Sequence, residues 1–385
     1  MNIAFIGSRG IPARYSGFET FYEQLAVRLV KRGHRVTVYN RSHFIRDVRG
    51  EYKGVRLVTL PSINTKHLDT LSHTALSSIH ALFQGYDIVY YCIVGNSPLV
   101  WLPRLVGVPV LLNVDGQDWA REKWSGFARW YQRWCEKVAT RTASLLVADA
   151  RVIQRRYREL YGVPTVYVPY GANVRRDDRL EALEKWGLSP REYILYVGRL
   201  VPENAIDMLI RAFRKVRTSK KLVIVGDAPF ADNYKALLRS LADEKVVFTG
   251  YAFGDDYAQL SSHAYLSVQP SAIDGTRPAL LDQMGFGNCV LVRDSAANRE
   301  VVGEQGASFE GAGGETSLAL RLQSLIEDRG QVEAYRKTVN SRVTHYYNWD
   351  WITDFYLDLF ARLRSGRLPV DYDDFVATQP THASG

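Results

Sequence analysis

The chain has 385 residues, 46% of them apolar and 23% charged, and a formal net charge of +8. One hydrophobic core rarely serves this length, so two domains are expected, and the composition is typical of a folded soluble protein. No apolar run approaches the roughly 20 residues that span a bilayer, the N-terminus lacks a signal-peptide pattern, and three widely spaced cysteines indicate reduced thiols in a cytoplasmic protein.

Short apolar strands alternate with helical segments in the first part of the chain. Asn2–Ile6 is predicted as the first strand, and Phe18–Arg32 as the first helix because its apolar side chains recur every three or four residues. Further strands are predicted at Arg35–Asn40, Arg56–Leu60, Ile88–Cys92, Pro109–Val114, Ser144–Ala148 and Thr165–Val168. Strands separated by helices favour a parallel, doubly wound sheet of the α/β class.

The same alternation starts again after a polar stretch at residues 173–179. Strands are predicted at Tyr193–Val197, Leu222–Val225, Val246–Thr249, Ala264–Gln269 and Val290–Val292, with a helix at Ile206–Val216. We therefore predict one domain at residues 1–172 and a second at 173–345. A long aromatic helix at 346–366 is expected to pack back on the first domain, and the tail at 367–385 to be disordered.

The loops after the strands are the candidates for a site, because ligands of doubly wound sheets bind beyond the carboxyl ends of the strands. The first loop, Gly7–Pro12, is rich in glycine but lacks the dinucleotide fingerprint G-x-G-x-x-G. Gly10 and Gly17 would let backbone N–H groups approach a diphosphate at the positive end of the following helix. Glu19 is either a ligand contact or, with Ser16, half of a capping box.

Two later loops carry charged side chains that suit a phosphorylated ligand. Arg199 follows a strand and a glycine, where a guanidinium can grip phosphate oxygens; the alternative is a surface salt bridge. Asp274 lies in a loop from which it can reach a sugar hydroxyl. Asp282 lies one turn into a helix that begins at Pro278, from which it can reach a ribose hydroxyl. The N-terminus of that helix is expected to face the phosphates.

The order of these segments resembles glycosyltransferase family 4 over nearly the whole chain. The matching segments are Ser16-Gly17-x-Glu19, Pro169–Asn173, Val197–Leu200, Val225–Asp227, Phe248–Tyr251, and Asp274 with Asp282 at the spacing of the Glu-x7-Glu signature. The resemblance implies a GT-B fold, in which two Rossmann-like domains face one cleft and a C-terminal helix crosses back to the first domain.

The same resemblance implies functions for both domains. The first would bind the acceptor and the second a nucleotide-sugar donor, with Gly226, Gly275 and Thr276 among the donor contacts. Transfer would retain the anomeric configuration and require no metal or other cofactor. Arg199, backbone N–H groups and helix ends would then neutralise the diphosphate, and the leaving phosphate would accept the proton of the acceptor hydroxyl.

Two residues differ from the usual family 4 pattern and point to one group within the family. Asn204 stands where the family usually has Lys for the donor diphosphate, and Asp115 replaces its usual His near the donor sugar. Both changes resemble bacterial polysaccharide rhamnosyltransferases, as do the segments Gly7–Pro12, Asp115-Gly116-x-x-Trp119, Pro202–Asn204 and Gly275–Pro278, the last with Arg277 where Asn is usual.

The narrower resemblance implies dTDP-L-rhamnose as the donor and Asn204 as a donor contact. Asp115, Arg199 and Asp274 are the catalytic candidates. Asp115 would position or deprotonate the acceptor, or contact the donor sugar.

The segment at residues 119–141 combines four tryptophans with six basic and two acidic residues, a net charge of +4. It begins with Trp119, Arg121, Lys123 and Trp124. Basic and aromatic residues together suit the inner membrane surface and a lipid-diphosphate-linked glycan acceptor, so peripheral membrane association is expected; the alternative is a core helix with an aromatic stripe. No nucleic-acid-binding module is recognisable, so nucleic acid is not an expected partner.

Three alternatives to rhamnosyl transfer follow from the same residues. A family 4 enzyme could transfer a hexose such as mannose, glucose or galactose. A sugar-nucleotide epimerase could share the architecture but would need acid–base carboxylates and a His, and would act without an acceptor. A non-catalytic subunit that only binds acceptor or partner is disfavoured by the intact Arg199, Asp274 and Asp282.

Overall fold

The computed structural model describes residues 1–14, 17–65, 68–114, 126–229, 231–271, 276–367 and 369–378. The chain divides into two compact units. Unit 1 comprises Met1–Gly171 and Trp349–Gly385, and unit 2 comprises Ala172–Asn348. The first predicted boundary, between residues 172 and 173, lies one residue from this division.

Unit 1 contains one eight-stranded sheet. Its strands are β1 (Asn2–Ile6), β2 (Arg35–Arg41), β3 (Glu51–Tyr52), β4 (Val55–Leu60), β5 (Ile88–Tyr91), β6 (Val110–Asn113), β7 (Leu145–Ala148) and β8 (Val166–Tyr167). They lie in the order β3-β4-β2-β1-β5-β6-β7-β8. Every neighbouring pair is parallel except the short β3 with β4. The predicted parallel, doubly wound sheet is confirmed.

Helices cover both faces of this sheet. They are α1 (Gly17–Lys31), α2 (Asp69–Ala81), α3 (Gly126–Thr142) and α4 (Arg151–Tyr161), with short 3₁₀ segments at Val94–Leu99 and Leu102–Val106. Side chains of α2, α3 and α4 share one buried core with the sheet. The α1 helix lies on the other face, because Tyr22 contacts Tyr90 while the neighbouring Tyr91 bonds Ser78 of α2, and successive strand residues point to opposite faces.

Unit 2 contains a second sheet, with six strands, all parallel. Its strands are β9 (Tyr193–Val197), β10 (Lys221–Val225), β11 (Val246–Gly250), β12 (Leu266–Gln269), β13 (Cys289–Arg293) and β14 (Ala307–Phe309), in the order β11-β10-β9-β12-β13-β14. Its helices are α5 (Glu181–Lys185), α6 (Ile206–Arg214), α7 (Asp232–Leu241), α8 (Gly254–Ser262), α9 (Pro278–Gly285), α10 (Ala296–Val302), α11 (Gly314–Glu327) and α12 (Arg329–Tyr346). Buried side chains lie on both sides of the sheet. This confirms the second doubly wound domain.

Two C-terminal helices belong to unit 1: α13 (Trp349–Arg364) and α14 (Tyr372–Ala377). Tyr356 of α13 places its hydroxyl 3.0 Å from that of Tyr90 in β5, and both side chains are buried. The expected return of the C-terminal helix to the first domain is therefore confirmed. It begins three residues later than predicted, because α12 continues through Tyr346.

The tail is not disordered throughout, which corrects the prediction for residues 372–377. Tyr372 of α14 is fully buried, and its ring lies 5.2 Å from that of Phe355 in α13. Asp373 forms an ion pair with Arg151 at the start of α4. Residues 379–385 lie outside the described part of the chain.

Candidate functional site

The carboxyl ends of β9 and β10 meet at one edge of the unit 2 sheet, where Arg199 and Gly226 were predicted to lie. The Gly198 N–H donates to the carbonyl of Val225 at 3.0 Å, and Leu200 N–H donates to the carbonyl of Asp227 at 3.4 Å. A Cβ on Gly226 would lie 2.0 Å from the carbonyl oxygen of Gly198, and the φ of Gly226 is +134°. Glycine is therefore required at position 226 by the approach of two loops, whatever ligand binds there.

Replacing Gly226 by alanine is expected to destabilise unit 2, because the new methyl group meets backbone in an unfavourable conformation. Gly250→Ala is the matched control. The φ of Gly250 is +71°, but nothing lies within 4 Å of the new Cβ, so this substitution should lower the free energy of unfolding by about 1 kcal/mol. Gly226→Ala should lower the free energy of unfolding by at least about 2 kcal/mol more than the control, measured by urea titration. An equal loss of unfolding free energy in the two variants would contradict this prediction, because it would show that the two loops move apart at little cost.

Arg199 has its backbone fixed, and no described residue forms an ion pair with its side chain. Its carbonyl accepts hydrogen bonds from Tyr196 Oη at 3.3 Å and from Asn204 Nδ2 at 2.8 Å. The residue is half-buried. The surface salt bridge considered as an alternative has no carboxylate partner in the described part of the chain. A guanidinium in this position is chemically suited to an anionic ligand.

Asn204, predicted as a donor contact, directs both ends of its amide to other residues of unit 2. Besides the bond from Nδ2 to Arg199, its Oδ1 lies 3.4 Å from Nη1 of Arg277. Only 8% of Asn204 is exposed. The side chain therefore joins the loop after β9 to the loop before α9.

Arg277 is a basic group at this edge that was not among the predicted site residues. Its Nη2 donates to Ser271 Oγ at 2.7 Å, and this hydroxyl donates to the carbonyl of Glu203 at 2.7 Å. The guanidinium is thus placed beside Asn204, and Asn204 is the residue that stands where the family usually has Lys. The signal in the sequence was the replacement of two usual residues: Asn204 stands where family 4 usually has Lys, and Arg277 stands where the rhamnosyltransferases usually have Asn.

Helix α9 begins at Pro278, as predicted, and carries Asp282 one turn from its start. The Tyr257 hydroxyl donates to Asp282 Oδ2 at 3.3 Å, and Arg175 Nη2 lies 3.9 Å from the same oxygen. Burial raises the pKa of Asp282, whereas Arg175 and the Tyr257 hydroxyl act to lower it. Thr276, just before the helix, is buried. Asp274 and Gly275, the other predicted donor contacts of this loop, lie outside the described residues.

The glycine turn of unit 1 is held by Asn40. The φ of Gly10 is +115°, and a Cβ there would lie 2.3 Å from Asn40 Oδ1. This oxygen accepts from the N–H of Ile11 at 3.0 Å, and Asn40 Nδ2 donates to the carbonyl of Ile11 at 2.8 Å. Packing therefore explains Gly10. The predicted contact with a donor diphosphate stays a prediction, and Gly17 is the first residue of α1.

Glu19 has a role that neither of the two interpretations included. Its Oε1 accepts the N–H of Arg9 at 2.9 Å, and the residue is 3% exposed. The carboxylate thereby stabilises the glycine turn from within the unit. Ser16, its expected partner in a capping box, lies outside the described residues.

The remaining predicted residues of unit 1 fall between β6 and α3. Asp115, Trp119, Arg121, Lys123 and Trp124 all lie outside the described part of the chain. The flanking elements, β6 and α3, are described. In α3 the rings of Trp130 and Trp134 are stacked 6.4 Å apart, and the residues are 58% and 41% exposed. These two tryptophans are therefore not part of a core stripe.

Two sequence models of glycosyltransferase domains match this chain. The one described as "Glycosyl transferase 4-like domain" matches residues 16–171, and the one described as "Glycosyl transferases group 1" matches residues 191–328. The two matches fall in units 1 and 2, in that order, and together span most of the chain. This chain belongs to the GT-B glycosyltransferases.

Relatives of this glycosyltransferase are 25% to 28% identical to it over the aligned residues. A GDP-mannose-dependent alpha-(1-6)-phosphatidylinositol monomannoside mannosyltransferase of Mycolicibacterium smegmatis is 25% identical over 78% of this chain and 80% of the relative. An uncharacterized glycosyltransferase of Methanocaldococcus jannaschii is 28% identical over 47% of this chain and 48% of the relative. An N-acetylgalactosamine-N,N'-diacetylbacillosaminyl-diphospho-undecaprenol 4-alpha-N-acetylgalactosaminyltransferase of Campylobacter jejuni is 28% identical over 42% and 44%. The last two matches span about half the length of those relatives.

Solved structures support the fold assignment. Sucrose-phosphate synthase from Thermosynechococcus elongatus has a TM-score of 0.82 and 19% identity, covering 95% of this chain and 99% of that structure. Anabaena HepE in complex with UDP-glucose has a TM-score of 0.78 and 17% identity, covering 94% and 99%. At these identities the similarity shows the GT-B fold alone.

Proposed function

We propose that this glycosyltransferase binds a nucleoside diphosphate sugar on unit 2 and transfers the sugar to a glycan acceptor. The main support for this proposal is Arg199 at the carboxyl edge of the sheet. This residue is half-buried, and its side chain has no ion-pair partner among the described residues. Arg277 adds a second guanidinium to the same group of loops. Two positive groups at a strand edge suit a diphosphate, whose oxygens accept forked hydrogen bonds.

The donor that the sequence favours is dTDP-L-rhamnose, because Asp115 and the Pro202–Asn204 segment resemble polysaccharide rhamnosyltransferases. A hexose donor is the second candidate, supported by relatives whose names specify mannose or N-acetylgalactosamine transfer. A panel of dTDP-L-rhamnose, GDP-mannose, UDP-glucose and UDP-N-acetylgalactosamine tests both. Thermal stabilisation and slow hydrolysis with dTDP-L-rhamnose alone would support the first, and a response to a hexose donor alone would replace it with the second.

The proposed acceptor is a glycan, and a lipid diphosphate is its proposed carrier. In retaining transfer, the bond between the anomeric carbon and the diphosphate oxygen breaks, and the acceptor oxygen bonds to that carbon on the same face. The acceptor hydroxyl proton passes to the departing diphosphate, so no protein nucleophile is needed. Asp115 is proposed to orient that hydroxyl or assist its deprotonation. An epimerase would change the donor without an acceptor, so product analysis in the absence of acceptor separates the two.

We further propose that transfer requires no metal ion, because Arg199, Arg277 and the N-terminus of α9 supply positive charge for the leaving diphosphate. Transfer in EDTA is therefore expected to proceed at the same rate as in buffer with magnesium. The measurement is the initial rate of transfer in EDTA and again after an excess of magnesium is added. Strict dependence on magnesium would contradict this proposal while leaving glycosyl transfer itself intact.

A further inference from the structure

An aromatic and basic surface of unit 1 lies on the side of the sheet away from α1. It consists of the outward side chains of residues 69–83 (α2 and the two residues after it), of the segment at residues 101–106 and of α3, and we call it the α2–α3 face. Its large apolar members include Ile79, Phe83, Trp101, Leu105, Trp130 and Trp134, which are 41% to 79% exposed. Exposed large apolar side chains on neighbouring elements are typical of a binding surface.

These elements form one continuous layer. Tyr131 of α3 donates from its hydroxyl to the carbonyl of Gly95 at 3.0 Å, and Ser97 Oγ donates to the carbonyl of Cys135 at 2.7 Å. Arg104 Nη1 donates to the carbonyls at the end of α3, those of Arg141 and Thr142, at 3.2 and 3.0 Å. The α2 helix packs against both short 3₁₀ segments. Since Cys135 and Ala81 point into the shared core, the exposed side chains of the layer point outward.

Among the described residues of this face, the exposed charged side chains are basic. The basic side chains of α3 and the 101–106 segment are Arg104, Arg129, Arg133, Lys137 and Arg141. The single acid of α3, Glu136, is 2% exposed and accepts from Arg156 at 2.9 Å, so it does not offset them. The single acid of α2, Asp69, pairs with Arg41. The face therefore presents positive charge beside tryptophan.

We propose that the α2–α3 face binds the surface of an anionic lipid bilayer. Tryptophan side chains settle at the boundary between headgroups and acyl chains, and basic side chains contact lipid phosphates while their stems lie along the apolar surface. Trp130 and Arg141 are eleven residues apart on one helix, about 16 Å. A helix with tryptophan and basic side chains on its exposed side is typical of binding at a membrane surface. The face would hold the enzyme where a lipid-linked acceptor is presented, but its lipid binding does not depend on the proposed donor or acceptor.

The test is flotation of the full chain with vesicles, without donor or acceptor. The chain should float with vesicles of equal parts phosphatidylglycerol and phosphatidylcholine, only weakly with phosphatidylcholine alone, and less as salt rises. Arg133→Glu/Lys137→Glu should weaken binding to the anionic vesicles at least about tenfold, since each basic residue at such a surface is worth about a fivefold change. Arg239→Glu/Lys337→Glu, on exposed positions of unit 2, carries the same change of charge and should float as the unmodified chain does.

The apolar part is tested separately. Phe83→Ser/Leu105→Ser should also reduce flotation, whereas Leu237→Ser/Leu320→Ser on exposed positions of unit 2 should not. The melting temperature of each variant shows that it is folded.

Failure of the unmodified chain to float on anionic vesicles, or equal flotation of the Arg133/Lys137 variant and its control, would overturn the proposal. A dimer that the Phe83/Leu105 variant dissociates would instead make this face a contact between two copies. Donor response in the nucleotide-sugar panel is read independently, so failure of one proposal is distinguishable from failure of the other.

Discussion

Arg199→Ala is expected to lower kcat/KM for glycosyl transfer about 100-fold or more, the size of loss seen when a positioned group that stabilises developing charge is removed. The backbone of Arg199 is fixed by bonds from Tyr196 and Asn204, so alanine should remove the guanidinium without moving the loop. The measurement is steady-state kinetics with the responding donor. The melting temperature should stay close to that of the unmodified enzyme.

Two further variants make this prediction specific. Arg214→Ala removes an exposed arginine from the end of α6 in the same unit and should leave transfer unchanged. Arg199→Lys keeps the charge but loses the forked geometry, so it should restore only part of the activity. Turnover by Arg199→Ala close to that of the Arg214→Ala control would remove Arg199 from the donor site.

Asp115→Asn is the second prediction with a large effect. Loss of a group that orients or deprotonates the acceptor hydroxyl costs about 10² to 10⁴ in rate, so transfer should become nearly undetectable. Asparagine keeps the size of the side chain and removes its charge and basicity. Because the diphosphate is proposed to bind through unit 2, the dissociation constant for the nucleotide should stay the same, as measured by calorimetry.

The matched control for this variant is Asp118→Asn, which makes the same change three residues later in the same segment. It is expected to retain transfer. If Asp115→Asn transfers sugar as well as this control does, Asp115 is not catalytic. If it loses nucleotide binding together with transfer, its role lies in donor binding instead.

Much of the fold follows from local sequence pattern. The bounds of β1 and β9 were predicted to the residue, because each is a short, mostly apolar run that ends just before a glycine. The antiparallel β3 and the three-residue β14 were missed. Segments this short carry too few residues for a periodic pattern, and their identity as strands comes from pairing with β4 and β13.

The candidate site was predicted by residue type but not by contact. The positions of Arg199 and Pro278 followed from a strand end and a helix start, both local features. That Asn204 would face Arg277, 73 residues away, did not follow, because it depends on which loops share an edge of the sheet. The role of Glu19 in holding the Arg9 N–H is of the same kind.

By itself the sequence determined the alternation of strands and helices, the division into two doubly wound domains and the kind of chemistry carried by the loops. These depend on periodicity and on residues next to one another in the chain. Tertiary structure alone decided that Trp130 and Trp134 point outward, and that Tyr372 of the tail is buried against Phe355. Helical spacing shows which side chains share a face, but which face loses its water depends on what the rest of the chain packs against it.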